Sequence, residues 1–197
     1  MRVSIFSYDV GNLYSLQVAL KQEGVEPQLT NNIRKAKAAD ALLLPGVGSF
    51  REGARKLPRD EIRDMARDGK PLFGICLGLQ LFFDRSDEGP GEGLGLFPGR
   101  VKRLPSTVKV PHIGWNILKI KRSNEFVEQL ADEAWVYYVH SYYPSTQGEW
   151  VIATTEYGLE YPALVAEKNI LGTQFHPEKS GSAGRAILRN FLHSIRK

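Results

Sequence analysis

In the first half of the chain, short apolar runs alternate with segments of helical periodicity, and that alternation leaves few folds open. Val3-Ser4-Ile5-Phe6 reads as a buried strand, followed past the turn Asp9-Val10-Gly11-Asn12 by a helix from Tyr14 to Glu23, with Leu13, Leu16 and Leu20 on one stripe. Gly24 closes that helix; Val25 to Leu29 is a second strand, Ile33 to Ala39 a short helix, and Ala41-Leu42-Leu43-Leu44 a third strand stopped by Pro45. The charged stretch Arg51 to Asp68 is helical in two pieces broken at Pro58, and Pro71 to Ile75 is the next strand. Parallel strands need long crossovers, which helices supply, so this half predicts a parallel sheet with helices on both faces.

The second half changes texture. Asp87 to Gly99 is rich in glycine and proline and reads as loop. Strand-like runs follow at Arg100 to Leu104, Ile117 to Ile120, Trp135 to Val139, Trp150 to Thr155, Leu164 to Glu167 and Ile170 to Gln174, interrupted by a helix around Glu125 to Leu130. A last helix runs from about Gly184 to Ile195, with Ile187, Leu188, Phe191, Leu192 and Ile195 on one face. There is no internal repeat and no linker long enough to divide the chain. The fold class is therefore α/β: one three-layer sandwich over residues 1–197, around a mostly parallel sheet with antiparallel later strands. In such sheets sites form at the carboxyl ends of strands.

With 197 residues, 42% hydrophobic and 24% charged, the composition is that of a globular protein in water. A single cysteine excludes an internal disulfide and a cysteine-based zinc cluster, and fits a reducing, cytoplasmic setting. The amino terminus shows no signal-peptide pattern, and no apolar segment approaches the ~20 residues needed to span a bilayer. The net charge of +4 is spread by interleaved acidic and basic residues, so neither nucleic acid nor membrane is expected as a partner.

That one cysteine sits in Gly74-Ile75-Cys76-Leu77-Gly78, where a strand ends and a helical pattern begins. For a lone cysteine a buried core position is the usual reading. The flanking glycines argue otherwise, because G-x-C-x-G has the mechanics of a nucleophile elbow, with crowded turn backbone and a side chain lifted beside helix-start amides. Those amides favour a thiolate and can hold an oxyanion. A nucleophilic thiol needs a base, and the base needs an orienting group. Of the four histidines, His193 reads as a surface residue, His112 lies in a loop, and His140 follows a strand and is a candidate. His176 is the strongest: it ends a strand and precedes Pro177-Glu178, and in an extended segment His176 and Glu178 face the same side. Pro45-Gly46-Val47-Gly48-Ser49-Phe50 lacks the lysine of a phosphate loop, and its G-x-G is too short for a dinucleotide. Beside a nucleophile it suits an oxyanion hole, with the Leu77 N–H as second donor. Together these parts describe acyl transfer through a thioester.

The blocks P-G-V-G-S-F, G-I-C-L-G-L-Q-L and Q-F-H-P-E-K resemble the signatures of class I (triad) glutamine amidotransferases, whose fold is flavodoxin-like. Y-D-V-G-N-L-Y-S, K-V-P-H-I-G-W-N and Y-Y-V-H-S-Y-Y are similar to one branch of that family, the glutaminase subunits of imidazole glycerol phosphate synthases of histidine biosynthesis. The likeness covers essentially the whole chain; Leu79 and Ile113 stand where the family often has methionine. The resemblance implies that Cys76 attacks glutamine, His176 shuttles protons and Glu178 orients His176. It also implies that Gly46 and Val47 supply the oxyanion loop, which a backbone flip completes, and that Gly48, Gln80, His140, Ser141 and Tyr142 hold the substrate. Asn12, Trp115, Tyr137 and Lys179 match positions near a partner. That partner is the cyclase of the synthase, a (β/α)8 barrel, in a heterodimer that uses the ammonia to make imidazole glycerol phosphate and aminoimidazole carboxamide ribotide. No cofactor and no metal is implied. The alternatives are the glutaminase of another synthase, for pyridoxal phosphate or anthranilate, and a non-catalytic flavodoxin-like regulator.

Overall fold

The computed structural model describes residues 1–8 and 13–196. Its centre is a nine-stranded sheet in the order β2-β1-β3-β4-β11-β10-β9-β6-β7. The parallel half is formed by β1 (Val3–Phe6), β2 (Gln28–Thr30), β3 (Ala41–Gly46), β4 (Leu72–Cys76) and β11 (Ile170–Thr173). The antiparallel half is β6 (His112–Ile120), β7 (Glu133–His140), β9 (Val151–Glu156) and β10 (Glu160–Glu167). A separate ribbon pairs β5 (Arg100–Arg103) with β8 (Tyr142–Ser145).

Strand alternation sorts side chains to the two faces. Val3, Ile5, Leu43, Phe73 and Ile75 pack with Leu16, Ala19 and Leu20 of α1 (Leu13–Gln22) and with Ile187, Leu188, Phe191 and Leu192 of α6 (Gly181–Ser194). Phe6, Leu42, Leu44 and Leu72 face the opposite layer of α2 (Ile33–Ala38), α3 (Phe50–Lys56), α4 (Arg59–Arg67) and α5 (Leu77–Gln80). Each such aliphatic or phenyl side chain contributes about 1.5–3 kcal/mol on burial. Glu23, just beyond α1 and largely buried, accepts from Arg185 (3.1 Å) and Arg189 (2.9 Å), tying α1 to α6.

The structure departs from the expectations in the turns. The third strand runs through Pro45 to Gly46, because its register with β4 continues to Gly46 opposite Cys76. Pro111 and Gly114 make the segment around His112 read as loop, yet β6 starts at His112 and pairs along its length with β7. Strand β8, with Pro144 inside it, is not marked in the sequence pattern; its partner is the short β5 alone, where a missing N–H is tolerated. The helix expected at 125–130 is a single 3-10 turn, Glu125–Val127, capped by Asn124.

Helix α5 lies unusually close to the sheet. A Cβ on Gly74 would meet the Gly78 carbonyl at 2.7 Å and Phe82 at 2.6 Å, and one on Gly78 would run into the Leu44 carbonyl oxygen of β3. Both glycines are required for clearance. Gly78→Ala should therefore destabilise the chain by about 2–3 kcal/mol or more, read as a lower urea midpoint, whereas Gly24→Ala, with open space around it, should lose only what its positive φ demands.

Candidate active site

Three neighbouring parallel strands end together. In the ladder Gly46 lies opposite Cys76 and Thr173 opposite Ile75, so β3, β4 and the segment after β11 deliver their residues to one edge. Cys76 has φ 55° and ψ −105°, a conformation that costs a non-glycine residue about 1–3 kcal/mol and is held by the strand on one side and α5 on the other. The strain thus falls on the cysteine itself, while Gly74 and Gly78 provide room. Its sulfur is nearly buried, 3.8 Å from the Val139 carbonyl oxygen and 3.6 Å from Gln174 Nε2. Leu77 opens α5, where the first N–H groups have no intrahelical acceptor.

His176 Nδ1 is 2.8 Å from Glu178 Oε1, and both side chains are buried. The route to this contact differs from the extended segment expected. Pro177–Lys179 form a 3-10 turn with His176 at its N-cap, and the turn folds the carboxylate back onto the ring. The backbone is pinned by His176 N–H to Tyr137 O (2.9 Å), Ser180 Oγ to His176 O (2.6 Å) and Tyr137 N–H to Ser180 Oγ (3.0 Å). Among the described residues, His176 Nε2 is buried without a nitrogen or oxygen partner, and Cys76 acts on that ring. Burial alone would push the imidazole down; Cys76 and Glu178 outweigh it and push it up to about 10.

The glycine loop lies beside the cysteine. Gly46 is buried at the end of β3, Val47 is exposed, Gly48 takes a φ of 126°, and Ser49 caps α3. The Tyr8 hydroxyl sits against Gly46, buried and without a hydrogen-bond partner among the described residues. A cavity of about 20 Å³, enough for a molecule the size of water, is lined by Pro45, Gly46, Val47, His176, Glu178 and Lys179, with Leu13 and Ile75.

Of the residues expected to hold substrate, Gln80, His140, Ser141 and Tyr142 are already bonded within the protein. Gln80 Nε2 donates to Tyr142 O (2.8 Å) and to Gln174 Oε1 (3.2 Å). His140 is buried, with Nδ1 on Tyr142 O (2.9 Å) and Nε2 on the Tyr161 hydroxyl (3.0 Å). Ser141 O accepts from Leu104 N–H at 2.9 Å, and Ser141 and Tyr142 are half-buried. His112, far from being a loop residue, stacks on Tyr157 (3.9 Å, 8°) and reaches Tyr161 with Nδ1 (3.1 Å). Burial pushes His112 down to about 4 and His140 down to about 3. Trp115, Tyr137 and Lys179 share one patch, with the indole edge-on to the phenol at 6.0 Å and the ammonium 5.7 Å from the phenol centroid; Asn12 lies outside the described residues. Sequence reasoning missed Gln174, Ser180 and Tyr161; the first two flank H-P-E-K, but nothing local marked Tyr161.

Among the described residues no group of His, Cys, Asp and Glu could hold a metal, and no helix is long and apolar enough to cross a membrane. The buried histidines add two limbs to the pH profile of folding. His112 and His140 are neutral in the fold but gain protons on unfolding below about 6.5, so stability should fall as pH drops from about 6.5 towards 4. His176 contributes stability that is complete below about 6.5 and is lost as pH rises towards 10. Urea unfolding across this range should show both limbs, and Cys76→Ala should flatten the alkaline limb alone.

Residues 6–195 match the family model described as "Glutamine amidotransferase class-I". The chain is 46% identical to the imidazole glycerol phosphate synthase subunit HisH of Methanothermobacter thermautotrophicus, over 98% of this chain and 99% of that protein. It is 43% identical to the protein of the same name from Caldanaerobacter subterraneus, over 98% of each. In fold it is similar to two solved structures from Thermotoga maritima, PurLQS (TM-score 0.80, 20% identity, 98% of this chain and 97% of that one) and a glutamine amidotransferase (TM-score 0.73, 15% identity, 100% and 99%). An elbow cysteine beside a carboxylate-held histidine, on a chain matched almost end to end, has one family reading: the chain belongs to the class I glutamine amidotransferases.

Proposed function

We propose that this chain is the glutaminase subunit of an imidazole glycerol phosphate synthase, working as one amidotransferase unit over residues 1–197. It hydrolyses glutamine to glutamate and ammonia and passes the ammonia to a cyclase subunit in a cytoplasmic heterodimer. The observation that carries the chemistry is His176: Glu178 holds Nδ1 at 2.8 Å, Nε2 is buried without a hydrogen-bond partner among the described residues, and Cys76 raises the ring's affinity for a proton.

In this reading the Cys76 proton is already held on His176, and the sulfur attacks the side-chain amide carbon of glutamine as a thiolate. The carbonyl oxygen gains charge, and the Leu77 N–H with the Gly46–Val47 loop stabilises it; one such donor is worth about 10²–10³ in rate. His176 returns the proton to the amide nitrogen, ammonia leaves and a thioester remains. His176 then takes a proton from water, whose oxygen displaces the sulfur and releases glutamate. Glu178 keeps the ring in the Nδ1–H tautomer throughout. Gly48, Gln80, His140, Ser141 and Tyr142 form the glutamine pocket. Since the His140 ring and the Gln80 amide nitrogen are tied to protein groups, main-chain groups and the free lone pairs of this shell are the contacts offered. Trp115, Tyr137, Lys179 and Asn12 meet the partner, a (β/α)8 barrel. The patch formed by the first three continues into the small cavity through Lys179, which suits an ammonia exit under the docked partner.

Cys76→Ala should lower glutamine-dependent synthesis by about four orders of magnitude or more and leave synthesis from added ammonium salt intact when the cyclase is present. Equal loss of both would defeat the division of labour. Glutamate release by the intact chain should rise on mixing with the cyclase and its ligand, but not with the synthase partner of another amidotransferase.

A further inference from the structure

Among the described residues, the sulfur of Cys76 has one neutral side-chain donor in the core, Gln174, and nothing in the mechanism above uses it. Gln174 is fully buried, follows β11 directly and lies between Gln80 and Cys76. Which end of its amide faces the sulfur is decided by the surrounding hydrogen bonds. The Tyr142 carbonyl can only accept, so the Gln80 group 2.8 Å from it must be the NH₂ end. That same NH₂ lies 3.2 Å from Gln174, which must therefore turn its oxygen to Gln80 and its NH₂ to the sulfur at 3.6 Å.

The other side of Tyr142 is closed just as firmly. His140 Nδ1–H donates to the same carbonyl, so its Nε2 accepts from the Tyr161 hydroxyl, which in turn accepts from His112 Nδ1–H. Asn116 Nδ2 donates to the Glu156 carbonyl at 3.0 Å and lies 3.4 Å from His112 Nε2, completing a chain in which each donor has an acceptor. Reversing the Gln174 amide would set NH₂ against NH₂ at Gln80 and leave an oxygen facing the sulfur.

We propose that Gln174 donates to the ionised sulfur of Cys76 and holds it for attack, with its amide oriented through Gln80 by the Tyr142 carbonyl. The role of the sulfur as nucleophile rests on the glutaminase reading; the hydrogen bond does not. The other groups facing the sulfur are the Val139 carbonyl from β7, which accepts from the thiol and favours the un-ionised form, and His176, with Glu178 behind it. The phenols of Tyr8, just beyond β1, and Tyr161 from β10 also feel its charge, and burial keeps both protonated. Gln174 is thus the amide counterpart of His176: it favours the thiolate without being able to take the proton.

Because Cys76 is the only cysteine, thiolate absorbance in the free chain, taken as a difference from Cys76→Ser, reports this sulfur alone. Gln174→Met keeps the volume and removes the donor. It should raise the titration midpoint by about one pH unit, a tenfold loss of thiolate below both midpoints. Gln174→Asn, whose amide is drawn one methylene back, should do the same and serves if the methionine variant fails to fold. An unmoved midpoint in a variant whose circular dichroism matches the parent would overturn the proposal. The titration needs neither glutamine nor a partner, so its result stands apart from any failure of the glutaminase reading.

Discussion

The close seating of α5 on the sheet is the constraint on which the rest of the site depends. Gly78 packs against the Leu44 carbonyl and Gly74 against Gly78, so the chain must turn within the few residues between them. Cys76 takes the positive φ that this turn requires. The strain is sustained because β4 is locked between β3 and β11 and because Leu77, Leu79 and Phe82 are buried around the turn. A looser helix would relieve the cysteine and move its sulfur from the junction of Val139, Gln174 and His176.

Burial then governs the electrostatics. The same exclusion of water pushes His112 and His140 down and would push His176 down as well. Only His176 has a buried carboxylate on one nitrogen and a sulfur acting on the ring, and it alone is carried upward. Two neutral imidazoles and one that holds its proton arise from one physical cause plus local partners. The neutral pair is not idle, since with Tyr161 it holds the Tyr142 carbonyl against which Gln80 and Gln174 are set.

Much of this was legible in the chain. Strand and helix alternation in the first half marked the parallel strands, with shifts of a few residues at Val25 and Pro45, because buried parallel strands are nearly all apolar. The antiparallel half was read less well. Pro111 and Gly114 masked the start of β6, Pro144 masked β8, and the turn at Glu125 looked like a fuller helix. Local propensity cannot see the cross-strand partners that override it. His176 and Glu178 do pair, but for a different reason than extended spacing: they meet through a 3-10 turn and not along a strand.

By itself the sequence determined the chemistry available: one thiol between glycines, a histidine two residues from a glutamate, a glycine loop, and the blocks that mark the family. Those are properties of residue type and spacing, which need no fold to be read. Tertiary structure alone decided which groups face the sulfur. Gln174 reaches it from just beyond β11, the strand paired with β4; Val139 reaches it from β7 at the far end of the sheet, which His176 N–H to Tyr137 O ties to the segment after β11; and Tyr161 orders two histidines from β10. Such contacts join residues far apart along the chain, and only the tertiary fold, set by which apolar faces must be buried together, puts them within hydrogen-bond reach.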